Sequence, residues 1–133
     1  MNPPSVSAVA LADFEEGRIA PDQLPQREHV RISYELLERH PFLEALFRLA
    51  KGLRRLAANA GHLEKYHETI TVAFLALIAE RRLRGRYASR EDFAARNPDL
   101  FRKELLEEFY KPALLKSALA RRRFVLPRRG RAL

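Results

Sequence analysis

The stretch from Ile70 to Ala79 constrains this chain more than any other: apart from Thr71 it is apolar, and Glu80-Arg81-Arg82 closes it. It is far shorter than the ~20 apolar residues needed to cross a bilayer, so no transmembrane segment is predicted. Read as a helix, it turns apolar side chains in nearly every direction, and a helix with no polar face belongs inside a bundle. The expected fold is therefore all-α: a single-domain helical bundle of about five to six helices. The helix carrying this run, read over 63–83, is expected at its centre.

The surrounding segments fit that frame. A short helix is predicted over 8–16, with Leu11 and Phe14 on one side and Gly17 at its end. Val30, Tyr34 and Leu37 recur at helical spacing and predict a second helix over 26–39. His40-Pro41 ends it, because a residue before proline avoids helical backbone, and Pro41 suits the first turn of a third helix over 41–59. Phe42, Leu43, Leu46, Phe47, Leu49, Ala50, Leu53 and Leu56 give that helix a broad apolar face. Further on, Ser89 with Asp92 and Asn97 with Pro98 predict capped starts for helices over 89–96 and 98–110. A last helix is read over 112–124. No alternating strand pattern interrupts the series. The domain is placed at 8–126, between a flexible N-terminus over 1–7 and a basic C-terminal tail over 127–133.

Charge narrows the partners. The chain carries +8, but Arg121, Arg122, Arg123, Arg128, Arg129 and Arg131 lie close to its C-terminus. Without those six of the 25 basic residues, 19 face 17 acids, so the body is nearly neutral. Aromatics do not interleave with the basic residues as they do in single-strand binders, and a nucleic-acid partner is disfavoured. The absence of cysteine removes disulfides, thiolate metal ligands and a cysteine nucleophile. The first twelve residues lack a basic start and run into Asp13, Glu15 and Glu16, which is unlike a secretory signal. A cytoplasmic location is expected.

The densest polar group is Tyr66-His67-Glu68-Thr69-Ile70-Thr71. On one continuous helix, His67, Thr71, Phe74 and Ile78 share a stripe, which sets a histidine and a threonine at the rim of an apolar face. Such groups need hydrogen-bond partners, and Glu68 is placed to orient an imidazole or take a proton. His67-Glu68 lacks the second histidine of a zincin motif, because position 71 is threonine. His29 on the second helix is the natural second ligand across helices. His29, His67 and Glu68 would form a two-histidine, one-carboxylate set suited to a divalent metal such as iron, manganese or zinc; the competing reading makes both histidines structural groups at a packing seam. His40 and His62 read as turn or cap residues. Glu80 and Arg81 read as a half-buried pair or as a solvated face.

Several of these pieces resemble a family of short, uncharacterised bacterial helical proteins. They are Phe14-Glu15, Arg27 to Arg31, His40-Pro41, the Tyr66–Thr71 string, Glu80-Arg81, Asn97 to Leu100, Phe109-Tyr110 and Ser117 to Pro127. The resemblance implies that His29, His67, Glu68, Thr69, Thr71, Glu80 and Arg81 belong to one signature, but it brings no reaction with it. Similar proteins often carry a further histidine upstream of the position matching His29, where this chain has Gln26.

Two functions follow as expectations. The favoured one is a small helical enzyme or ligand-binding protein, metal-assisted in its sharpest form, with a pocket between the second and fourth helices. His67, Glu68, His29 and Thr71 would be its catalytic groups, and Thr69, Tyr66, Glu80 and Arg81 would bind a small-molecule ligand. The alternative is a non-catalytic module that holds an acidic or protein partner, or another copy of itself, through its Arg-rich end and apolar helix faces.

Overall fold

A computed structural model of the chain describes residues 9–127. The expected loose N-terminus and the tail beyond Pro127 lie outside the described residues. Among the described residues the fold is all-α, with no strand. Seven α-helices occur: α1 (Leu11–Glu15), α2 (Gln26–Arg39), α3 (Phe42–Asn59), α4 (Glu68–Arg84), α5 (Arg90–Arg96), α6 (Pro112–Leu115) and α7 (Ala118–Arg122). Four 3-10 turns join them, at Pro21–Gln23, Leu63–Lys65, Pro98–Phe101 and Lys103–Glu108.

The long helices α2, α3 and α4 pack on one another and form the body; α1 lies on α3, and α7 lies on α4. Gly17 and Gly61, which follow α1 and α3, have φ of +72° and +77°, a backbone region that other residues enter at a cost. Gly52, midway along α3, lets the Phe14 ring lie directly on the helix backbone.

The enclosed helix is α2 rather than α4. Every residue from Ile32 to Leu37 is buried, because α3, α4 and the Pro98–Phe101 turn surround it. On α4, Phe74, Leu75 and Ile78 are buried, whereas Val72, Ala73 and Leu77 are only partly covered and Ala76 and Leu83 are exposed. The broad apolar face of α3 is likewise only half used: Leu49 and Leu56 are buried, but Leu43 and Phe47 remain 77% and 61% exposed.

Four expected helices are shorter or broken: the first, expected over 8–16, spans only Leu11–Glu15. α4 starts at Glu68, after a separate turn at Leu63–Lys65. The 98–110 stretch is two 3-10 turns with extended backbone at Arg102 between them. The 112–124 stretch divides at Ser117, whose hydroxyl caps α7 by accepting from the Ala120 N–H.

Enclosing α2 also buries two of its three acids, Glu28 and Glu35. Glu28 accepts from the Val9 N–H (2.9 Å) and from Arg31 Nε (3.0 Å). Glu35 accepts from Arg31 (3.2 Å) and Arg39 (2.9 Å), and Arg90 of α5 approaches it at 3.6 Å. Arg31 also donates to the Val9 carbonyl. Buried carboxylates need such partners. The network ties the segment before α1 and the start of α5 to α2.

Candidate functional site

His67 is the N-cap of α4, not a residue of its first turn. Its Nδ1 accepts from the Ile70 N–H (3.1 Å) and its Nε2 donates to the Leu115 carbonyl (2.6 Å). A backbone N–H only donates and a carbonyl only accepts, so these partners fix the neutral tautomer with its proton on Nε2. The one lone pair that would bind a metal or take a proton is the lone pair that caps the helix.

The threonines are also used inside the fold. Thr71 donates to the His67 carbonyl (2.8 Å). Thr69 is fully buried; its hydroxyl donates to the Arg123 carbonyl (2.8 Å) and accepts from the Val125 N–H (3.1 Å). Tyr110 donates to the Val125 carbonyl (2.7 Å) beside it. Together Thr69 and Tyr110 clamp the segment after α7 onto α4. Replacing Thr69 with Val removes a buried donor and acceptor and leaves two backbone groups without partners. The expected loss is about 2–3 kcal/mol, read by urea denaturation, with faster tryptic cleavage at Arg121–Arg123. Thr69→Ser, which keeps the hydroxyl, is expected to stay close to the parent; equal loss in both variants would show that the hydroxyl is not the clamp.

Glu68 points away from the histidines. Its Oε1 accepts from the Tyr66 hydroxyl (2.7 Å), and Arg54 lies 5.8 Å from the Tyr66 ring centre. Burial, reinforced by the bond to Glu68, pushes the Tyr66 hydroxyl above its ordinary range. The expected metal set of His29, His67 and Glu68 is therefore not assembled: among the described residues no three His, Asp or Glu side chains come together as metal ligands.

The expected Glu80–Arg81 pair is also not formed. Glu80 is exposed and faces Arg84 at 3.7 Å. Arg81 turns the other way, clamps Asp99 with both terminal nitrogens (2.5 and 2.7 Å) and donates to the Asn97 side chain (3.2 Å). That bidentate pair raises the Arg81 pKa and lowers that of Asp99. Asn97 is buried, and its amide donates to the Phe93 carbonyl (2.9 Å) rather than capping the next turn.

Four of the expected site residues do meet. His29, Tyr66, His67 and Thr71 line one cleft of about 360 Å³ between α2, the end of α3 and the start of α4. Its other walls are mostly apolar, from Leu53, Leu56, Ala57 and Ile70, with His62 and Lys65 at the rim. His29 is stacked on Phe74, with ring centres 6.1 Å apart, and makes no hydrogen bond to any described residue. Burial pushes its pKa down to about 4, so the ring is neutral at pH 7 and carries one donor and one acceptor in the cleft wall. Glu68, Thr69, Glu80 and Arg81 lie outside this cleft.

The α2 network of Glu28, Arg31, Glu35 and Arg39 is not among the expected features, although its charges stand three and four residues apart, the spacing of neighbours on a helix. His62, expected as a turn or cap residue, also lines the cleft rim. The chain matches no protein-family model, no curated protein and no solved structure. No helix among the described residues is long and apolar enough to cross a membrane.

Proposed function

We propose that this protein binds a small, largely apolar molecule in the cleft between α2, α3 and α4, with His29 as its polar anchor. The observation that carries this reading is His29 itself: a neutral imidazole, without a partner among the described residues, set in a mostly apolar wall. Binding sites have this composition, an apolar lining with a few placed polar groups. His67, Thr69 and Thr71 serve the site as framework, since each already has partners in the fold. The favoured ligand carries one uncharged hydroxyl or N–H, because a neutral imidazole in an apolar wall suits a neutral group better than an ion. A cytoplasmic location and kinship with short bacterial helical proteins belong to the same proposal, the latter resting on the Tyr66–Thr71 string.

Indole and p-cresol are suitable probes. Titrated into the labelled protein, they are expected to shift the amide resonances of His29, Leu53, Ile70 and Thr71 saturably. His29→Leu is expected to weaken binding by about tenfold, the worth of one hydrogen bond to a buried partner. Shifts confined to other surfaces, or affinity unchanged by His29→Leu, would count against the proposal.

A further inference from the structure

Two grooves on the side of α4 away from the cleft join into one trough. The first, about 550 Å³, runs between α3 and α4 over Leu43, Leu46, Phe47 and Val72. The second, about 500 Å³, continues over Lys116, Arg121 and Arg122 of the α6–α7 region, and Arg54 and Glu68 belong to both. The first half is lined mainly by apolar side chains, with Lys51, Arg54 and Glu68 among them, and it includes two of the most exposed large hydrophobic residues among the described ones, Leu43 and Phe47. The second half is basic. Arg54, Lys116, Arg121 and Arg122 form no ion pair with any described residue, although Arg121 donates to the Glu64 and Lys65 carbonyls (both 3.3 Å); the acids beside them are partly engaged, Glu68 by Tyr66 and Glu64 by His62.

Unpaired cations at one end of an open apolar trough call for an occupant with the complementary pattern. We propose that the trough docks an amphipathic helix of a partner protein, apolar along one face and acidic at one end. The concave seam between two helices receives the ridge of a third, and the acidic end would lie over Arg54, Lys116 and Arg122. The charges set its direction, and Leu43 and Phe47 supply the buried contact. This surface adjoins the His29 cleft at Tyr66, but His29 does not line the trough and Leu43 and Phe47 do not line the cleft, so variants at those residues test the two assignments apart.

The test uses a dye-labelled helical peptide of about 16 residues, roughly 24 Å long. Leucines line one face, and glutamates occupy either its first or its last turn. Fluorescence anisotropy is expected to show saturable binding of one of the two. Phe47→Asp, at an exposed site where folding is retained by circular dichroism, is expected to weaken it by about tenfold or more. Arg54→Glu with Arg122→Glu is expected to do the same, and a peptide with lysines in place of the glutamates is expected to restore binding to that variant. Absence of saturable binding of either acidic peptide, or equal binding of acidic and basic peptides, overturns the proposal. So does sedimentation with phosphatidylglycerol vesicles that is lost in Phe47→Asp when no peptide binds; that outcome would assign the trough to a membrane surface.

Discussion

Phe14→Ala is expected to lower the stability of the fold by about 3–5 kcal/mol, the range for emptying a large buried aromatic site. Phe14 is 1% exposed, and its ring lies where a Cβ on Gly52 would sit, within 2.4 Å. The short helix α1 rests on α3 through this contact, and α1 has no side-chain cap to hold it by itself. Gly52→Ala offers the complementary check. Alanine favours a helix over glycine by up to about 1 kcal/mol, yet here it must displace the ring, and a net loss is expected. Urea denaturation of both variants measures the effect. A stabilised Gly52→Ala would mean that the ring moves aside freely, and the account of α1 would fail with it.

The second large effect is acid sensitivity. The unfolded chain protonates His29 near pH 6.5, whereas the folded state resists until about pH 4. Between those values the unfolded state binds more protons, so stability rises with pH through this window. His29 therefore contributes nothing unfavourable above pH 6.5, and acidification towards pH 4 is expected to cost about 2–3 kcal/mol. His29→Leu cannot take up that proton. Measured from pH 7 to pH 4, the parent is expected to lose more stability than the variant by that amount. Parallel pH curves would show that the imidazole is solvated in the folded protein, and its role as a neutral anchor would lose its basis.

Much of the frame was legible in the sequence, for local reasons. The bounds of α2 match the reading over 26–39, and α3 begins one residue after its proline, because X-Pro geometry and apolar spacing act within a few residues. The start of α4 was misplaced because the apolar periodicity runs on through the turn at Leu63–Lys65; a histidine acting as N-cap is an unusual signal, visible only with its partners. The 98–110 stretch carries paired apolar residues that fit either helix type. The contact that holds its start comes from Arg81, sixteen residues before Asn97 and eighteen before Asp99, beyond the reach of local spacing.

The cleft was half legible for the same reason. His29 and His67 were expected to meet across helices, and they line one cleft. Glu68 was expected with them, but one residue past an N-cap its side chain leaves on another heading, towards Tyr66. The roles of Thr69 and Tyr110 depend on a segment more than fifty positions from Thr69, and local spacing carries no trace of that contact.

A helix that is apolar on nearly every side has no intrinsic preference for which side meets its neighbours, since oil against oil fits at many angles. α4 would be such a spindle were it not pinned at both ends. At one end Thr69 holds the Arg123–Val125 segment and His67 holds Leu115; at the other Arg81 holds Asp99 and Arg82 reaches the Leu37 carbonyl. These polar pegs act as keys in a lock barrel. They select one rotation of the spindle among several that would bury similar area, and with it the angle at which Ile70 and Thr71 face the cleft while Val72 faces the trough.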